Sequence, residues 1–249
     1  MLVELHFPLA LLSKMTMASD IVRVMRRLPS FLPIIALFFM HSASAQKPVL
    51  AWSARFGANI HNITGSAVAA DGSIYVVGQT KEIFGITGFH IFVGKLSADG
   101  IDNQCAMQVG SRAYSANDFP MAMAFDESDG TVFIAGSTQS DNFPRVPNLP
   151  ARPDQDSGTF LLRVDPCKQS ILFSTYLPNR TRPGALLVSR GAVYLGADGS
   201  LIRFKPDGSQ VIAQTSLPGS TGAITADGDG NVYVTGSILS SVRPYFGFA

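Results

Sequence analysis

Hydrophobic and polar positions alternate in short runs along most of the chain, which is the pattern of half-buried β-strands. One run recurs four times, each time as a turn pair, an alternation around Tyr or Phe, and a Gly. The copies are DGSIYVVGQT (71–80), DGTVFIAGST (129–138), RGAVYLGAD (190–198) and DGNVYVTGSI (229–238), centred on Tyr75, Phe133, Tyr194 and Tyr233. This recurrence predicts a chain built from repeated structural units.

Three further elements accompany the first three copies in a constant order, and the first of them also precedes the fourth copy. A small strand such as TGSAVAA (64–70) precedes the turn, a strand with one cation follows, and a strand like SILFSTYLP (170–178) ends the unit. The cations are Lys95, Arg163 and Arg203. Four antiparallel strands in about 40 residues are typical of a propeller blade. We therefore predict an all-β fold, a β-propeller of four-stranded antiparallel blades, with the small strand innermost. A β-sandwich is the alternative, but it does not explain the repeated order.

The elements also predict the number of blades. Complete blades are expected at 64–111, 119–178 and 184–217, and a fourth begins at 221–237. RPYFGFA (243–249) fits the third strand of this last blade, and an outer strand stands alone at 48–57. Two arrangements remain open: a small closed ring of about four blades, or an arc of a longer propeller truncated at its C terminus.

The N-terminal region departs from the strand pattern. From Met25, the sequence MRRLPSFLPIIALFFMHSASAQ has a basic pair, 13 consecutive residues that are mainly apolar, and small residues up to Ala45. This is the pattern of a signal peptide cleaved after Ala45, because spanning a bilayer takes about 20 apolar residues. An uncleaved membrane anchor is the alternative. We therefore divide the chain into an N-terminal extension with signal peptide (1–45) and a repeat domain (46–249). The expected location is secreted, periplasmic or cell-surface.

Charge and cysteine content narrow the class of partner. Residues 1–45 contain four of the 19 basic and two of the 18 acidic residues. The remaining chain therefore has 15 basic and 16 acidic residues and a net charge of −1. Without a basic stripe, neither nucleic acid nor anionic lipid is an expected partner, and no membrane span is expected in the mature chain. Cys105 and Cys167 fit either a disulfide between adjacent blades or two separate thiols.

The repeats resemble the bacterial β-propeller repeat family known as SBBP. The second unit matches its pattern best, with DGTVFIAGSTQSDNFP (129–144), TFLLRVDP (159–166) and ILFSTYLP (171–178). The resemblance covers about 48–249. It departs from the pattern where Pro178 and Asn179 replace two glycines, where KEIFGITGFH replaces S-x-D-F-P in the first unit, and where the third unit lacks that insert. The resemblance implies an exported propeller without a defined catalytic apparatus, and it carries over no functional residues.

The predicted binding surface is the face that carries the long connections. Turns between first and second strands, and between third and fourth, are short, so the variable loops collect on the opposite face, where function tends to lie. The largest loop is 138–158, and its predicted contact residues are Asp141, Asn142, Phe143, Arg145, Arg152, Asp154 and Asp156. The alternative is a loop that only covers the fold.

No catalytic, metal or cofactor motif accompanies the repeats. After residue 45 the sequence has two histidines, His61 and His90, and no HExxH, CxxC, GxSxG or Walker motif. The main hypothesis is a non-catalytic propeller that binds a protein or carbohydrate. One alternative is an extracellular polysaccharide hydrolase or lyase, for which Asp118, Asp141 and Asp154 are conceivable carboxylates. The other is a structural repeat segment of a larger surface protein.

One stretch, ADGDGNVYVTGS (226–237), has the oxygen-bearing residues Asp227, Asp229 and Asn231 at alternate positions, as a calcium loop does at its start. Such a loop needs Gly at its sixth position and a carboxylate at its twelfth, and this stretch has neither. We interpret it as a hairpin turn in which the Asp229-Gly230 pair supplies the positive φ.

Overall fold

The computed structural model describes residues 60–81, 88–110, 117–140, 143–144, 158–177 and 182–238. The predicted signal peptide, the predicted outer strand at 48–57 and the predicted strand at 243–249 lie outside these ranges.

The described residues form fourteen β-strands joined by turns. The strands are β1 (Ile60–Val68), β2 (Ile74–Lys81), β3 (Phe89–Leu96), β4 (Asn103–Val109), β5 (Asp118–Asp126), β6 (Thr131–Thr138), β7 (Gly158–Asp165), β8 (Ser170–Tyr176), β9 (Pro183–Ser189), β10 (Ala192–Ala197), β11 (Ser200–Phe204), β12 (Val211–Ser216), β13 (Gly219–Ala226) and β14 (Val232–Ile238).

These strands pair antiparallel, in chain order, to form successive sheets. β1–β4, β5–β8 and β9–β12 each form a four-stranded sheet, and β13 pairs with β14. The first strands of successive sheets, β1, β5, β9 and β13, lie beside one another. Sheets that radiate from a shared row of inner strands are the blades of a propeller. The predicted fold class is confirmed, and the predicted blades match the observed sheets to within a few residues.

Small residues occupy the inner strands because neighbouring backbones meet there. A Cβ atom added to Gly184, on β9, would meet the backbone of Thr221 on β13, with the Thr221 carbonyl carbon 2.9 Å away. Gly65 on β1 is similarly tight, since its Cβ would lie 2.7 Å from the Met123 side chain on β5. Glycine is required at such positions by close approach rather than by backbone conformation.

Two hydrophobic cores fill the spaces between the first three blades. Val132 and Ile134 of β6 belong to the core shared with the first blade, whereas Phe133 and Ala135 belong to the core shared with the third. All four side chains are fully buried. Because successive residues of a strand point to opposite faces, one strand of the second blade supplies both cores.

The predicted aromatic residue and cation of each complete blade face one another across the second and third strands. Tyr75 is paired in register with Lys95, and Tyr194 with Arg203. The Lys95 Nζ lies 5.4 Å from the centroid of the Tyr75 ring, and the Arg203 guanidinium carbon lies 5.6 Å from that of Tyr194. These distances are those of cation–π contacts.

Cys105 and Cys167 form a disulfide in the structure, with Cα atoms 5.1 Å apart. Cys105 lies on β4, the outer strand of the first blade, and Cys167 lies in the turn between β7 and β8 of the second. The bond therefore joins two adjacent blades.

Candidate functional site

The connections divide the propeller into two faces. The short-turn face carries the turns from first to second and from third to fourth strands, at 69–73, 97–102, 127–130, 166–169, 190–191, 205–210 and 227–231. The long-loop face carries the other connections and the links between blades. In the third blade the long-loop face has only a two-residue turn, Asp198-Gly199, between β10 and β11.

Carboxylates on the short-turn face accept hydrogen bonds from residues of their own turns. Asp71 and Asp207 accept hydrogen bonds from the backbone N–H groups of Ser73 and Ser209 at 2.8 and 2.9 Å. The pKa of each of these two carboxyls is lowered, first because the serine hydroxyl also donates to it and then because of the backbone bond. Such Asx turns are local structure and do not indicate a ligand.

The turn at 227–231, whose sequence resembles the start of a calcium loop, also has a carboxylate that is hydrogen-bonded locally. The Asp227 carboxylate accepts hydrogen bonds from the Asn231 side chain, the Tyr233 hydroxyl (each at 2.8 Å) and the backbone N–H groups of Asp229 and Asn231. The Asn231 amide, followed by the Tyr233 hydroxyl, holds the pKa of Asp227 well below its usual range. Gly230 has φ of 94°, so the predicted hairpin turn is confirmed. Within the described ranges, no group of three His, Cys, Asp or Glu residues is arranged to hold a metal ion.

Two adjoining cavities open on the long-loop face, and we call them together the inner-strand pocket. The larger, about 520 Å³, is lined by Asn62, Gln79, Phe119, Ser137, Thr159 and Arg182, among others. The smaller, about 420 Å³, is lined by Thr64, Asp198, Ser220 and Thr221, among others. Both cavities are also bordered by Pro120, Met121, Arg182 and Pro183. The pocket thus lies where the inner strands of successive blades begin, and both volumes are typical of ligand sites.

Hydrogen bonds between blades hold the walls of the pocket. The Thr64 hydroxyl of the first blade donates to the Pro120 carbonyl of the second at 3.1 Å. The side chain of Gln79, which is 5% exposed, donates through Nε2 to the Asp118 carbonyl at 3.4 Å. Because these bonds cross from β1 and β2 to β5, the relative positions of the wall residues are set by the fold.

Arg182 is the cation of the pocket. The backbone N–H of Asp198 donates to the Arg182 carbonyl at 3.1 Å, which fixes the backbone just before β9. The Arg182 side chain is exposed and borders both cavities. Arg163, by contrast, pairs with Asp126 and Asp129. Among the residues that the structure describes, no ion pair involves Arg182.

A buried polar pair lies near the pocket without opening into it. His90 Nδ1 and Asp118 Oδ2 are 3.7 Å apart, and the two residues are 7% and 0% exposed. The Thr138 hydroxyl donates to the other oxygen of Asp118. Asp118, considered above as a glycosidase carboxylate, is therefore a buried structural group. Asp141 and Asp154, considered with it, lie outside the described residues.

The predicted contact residues of the long loop are mostly outside the described ranges. Phe143 is the exception: it is 2% exposed, and its ring stacks on that of Phe160 at a centroid distance of 4.5 Å. Phe143 thus belongs to the core between the first two blades rather than to an open surface. The remaining predicted residues, Asp141, Asn142, Arg145, Arg152, Asp154 and Asp156, are not described.

The pocket residues were not predicted from the sequence, although one signal could have indicated them. Asn62, Pro120, Pro183 and Ser220 all lie at or near the beginning of the small inner strand of their unit. Aligning the four units on their DG turns would have placed these residues at one end of the propeller. Their side-chain types differ from unit to unit, so no motif marks them.

Comparisons with known proteins complete the description. No protein-family model matches the chain, and neither does any curated protein. Solved structures of propeller type do resemble it. Hydrazine synthase of Kuenenia stuttgartiensis has 12% identity and a TM-score of 0.44, over 68% of this chain and 57% of that one. A Trypanosoma rangeli sialidase has 13% identity and a TM-score of 0.44, over 68% and 33%. The WD40 domain of Neurospora crassa Pan2 has 11% identity and a TM-score of 0.37, over 70% and 60%.

The match therefore spans less than two thirds of each of these three proteins. The repeated four-stranded sheets of this chain define it as a β-propeller repeat protein. In the parts of the chain that the structure describes, no helix has the length and apolar character needed to cross a membrane.

Proposed function

We propose that the chain is an exported propeller repeat protein that binds a protein or carbohydrate ligand through its long-loop face. The resemblance of its repeats to the SBBP family and the signal-peptide pattern that ends at Ala45 support export. The proposed role is binding without catalysis.

The inner-strand pocket is the observation that carries this proposal. It combines apolar side chains (Phe119, Met121) with hydrogen-bonding ones (Asn62, Ser137), which is the composition of a recognition site. On the short-turn face, the carboxylates of Asp71, Asp207 and Asp227 are engaged in their own turns.

Binding is favoured over polysaccharide hydrolysis by the number of carboxylates. Glycoside hydrolysis ordinarily needs two carboxyl groups that face one cleft. Among the described residues that line the inner-strand pocket, Asp198 is the one acidic side chain.

The test is a binding screen of the purified protein on glycan and protein arrays, followed by titration of each hit. Met121→Trp should obstruct both cavities at their shared border and weaken binding at least tenfold, because Met121 borders both. Lys205→Trp places the same side chain on the short-turn face and should leave affinity within about twofold. A ligand whose affinity is lowered by Lys205→Trp and not by Met121→Trp would contradict the proposal.

A further inference from the structure

We infer that the inner-strand pocket takes a carboxylated sugar, as a unit of an acidic polysaccharide, with its carboxylate on Arg182. This inference rests on the proposed binding function and names the class of ligand.

Charge is the first argument. Arg182 is the one charged residue among the described residues that line the larger cavity. Its side chain is exposed, and it has no ion-pair partner in the described part of the chain. A guanidinium matches a carboxylate with two parallel hydrogen bonds, and Arg is therefore suited to recognise this group. A single cation also argues against a polyphosphate ligand, which is bound by several Lys and Arg residues.

The uncharged polar groups are the second argument. Asn62, Gln79, Ser137 and Thr159 line the larger cavity, and each side chain has both a donor and an acceptor. Sugar hydroxyls also donate and accept, so a ring with several hydroxyls satisfies such a wall. Gln79 is held in place by its bond to the Asp118 carbonyl, so its position does not depend on a ligand.

The apolar part of the wall is the third argument. Phe119, Pro120 and Met121 form a continuous run at the beginning of β5, and all three border the larger cavity. The C–H face of a pyranose ring packs on apolar surface of this kind while its hydroxyls point sideways to polar groups. An acidic peptide would use Arg182 equally well, but it lacks a ring that presents an apolar C–H face and several hydroxyls together.

The arrangement of the two cavities extends the inference to a chain of sugars. They share a border formed by Pro120, Met121, Arg182 and Pro183, and their volumes are about 520 and 420 Å³. Adjoining spaces of this size suit successive units of one polymer. Asp198 lines only the smaller cavity, so the carboxylate that pairs with Arg182 belongs in the larger one.

The experiment titrates the purified protein with three polyuronates: polygalacturonate, alginate and hyaluronan. Carboxyl-reduced polygalacturonate and dextran serve as neutral probes. At least one polyuronate should bind, and if polygalacturonate is bound, reduction of its carboxyl groups should weaken binding at least tenfold. Arg182→Ala should weaken binding of the polyuronate by about ten- to a hundredfold, the value of a hydrogen bond to a charged group. Lys205→Ala removes one cation from the short-turn face and should change affinity less than twofold.

The contrary results distinguish failure of this inference from failure of the proposed function. The inference is overturned if no polyuronate binds, if the reduced polymer binds as well as the acidic one, or if Arg182→Ala leaves affinity unchanged. The inference alone would fail, and the proposed binding function would stand, if Met121→Trp abolished the binding of a protein or neutral glycan while Arg182→Ala left that binding unchanged. A ligand that resists both variants and responds to Lys205→Trp would overturn the proposed function as well. Thermal unfolding of each variant checks that the exposed substitutions leave the fold intact.

Discussion

The Arg163 guanidinium carbon lies 4.9 Å from the centroid of the Phe133 ring. The two residues are paired in register across β6 and β7. The same guanidinium donates to Asp126 at 3.1 Å and to Asp129, and its Nε donates to Thr131 at 3.0 Å. Arg163 thus binds the short turn of its own blade to the ring that fills the core between the second and third blades.

We expect Arg163→Ala to lower the free energy of unfolding by about 3 kcal/mol, because it leaves the partly buried Asp126 without its cation. Urea denaturation monitored by fluorescence measures the change. Arg203→Ala is the matched control. Arg203 lies over Tyr194 at the equivalent position of the third blade, but it is exposed, so its loss should cost about 1 kcal/mol or less. Equal losses in the two variants would contradict this account.

The disulfide between Cys105 and Cys167 closes a loop with a sequence separation of 62 residues. Cross-links over loops of this length typically stabilise a fold by about 2–4 kcal/mol, and we expect reduction to lower the free energy of unfolding by this amount. Urea denaturation with and without dithiothreitol measures it. The double variant Cys105→Ala/Cys167→Ala should be insensitive to dithiothreitol. Alkylation of both thiols in the native protein without a reductant would show that the bond is absent.

Gly184→Ala should separate the third blade from the fourth. The new Cβ would overlap the Thr221 backbone, and neither backbone can move without disturbing its strand. Overpacking of this kind costs about 1–3 kcal/mol or more, which a lowered melting temperature would report. Gly222→Ala is the control, since its Cβ would have no neighbour closer than 3.6 Å. A melting temperature that falls equally in both variants would point to glycine content rather than to the blade contact.

The Asp227 turn should respond to acid. Its carboxyl pKa is lowered from the ordinary 3.8 by hydrogen bonds from Asn231 and Tyr233. A group with a lowered folded-state pKa contributes stability above its unfolded pKa, and this contribution is lost as the pH falls through the folded value. The stabilisation from Asp227 should therefore be intact at neutral pH and decline below about pH 4. Tyr233→Phe removes one donor and should raise the Asp227 midpoint in an NMR titration, while leaving that of Asp207 unchanged. An unchanged Asp227 midpoint would contradict the role given to the Tyr233 hydroxyl.

Export can be tested by the N terminus of the mature protein. Expression of the full chain in a bacterial host should yield a protein that begins at Gln46, as measured by intact mass and N-terminal sequencing. Ala45→Phe places a large side chain at the cleavage position and should leave the precursor uncut, because signal peptidase requires a small residue there. A native protein that retains residues 25–45 would support the membrane-anchor alternative.

The blade order could be predicted because the signals for it are local. Each DG turn with its alternating strand specifies a hairpin within about 20 residues, and Tyr75 and Lys95 mark paired strands of one blade. The inner position of the small strands followed from the same reasoning, since residues such as Gly184 leave room for an adjacent backbone.

The pocket could not be predicted because it is assembled from distant residues. Asn62, Phe119 and Arg182 come from three blades and are brought together by the packing of the blades. Phe143 shows the opposite effect. Its place in a polar, proline-rich loop suggested exposure, but the chain returns to the sheet at that point and buries the ring on Phe160. Burial of this kind depends on tertiary contacts that local composition does not report.

The alternation along β6 also determines which neighbouring blade is destabilised by a core substitution. A substitution at Ile134 is felt by the first blade, and one at the adjacent Phe133 by the third, although the two residues share a peptide bond. Within β6, harm from a core substitution should therefore reach the first blade when the residue number is even and the third blade when it is odd. A deletion of one residue within β6 would reverse that assignment for every residue after it, exchanging the side chains of two cores at once.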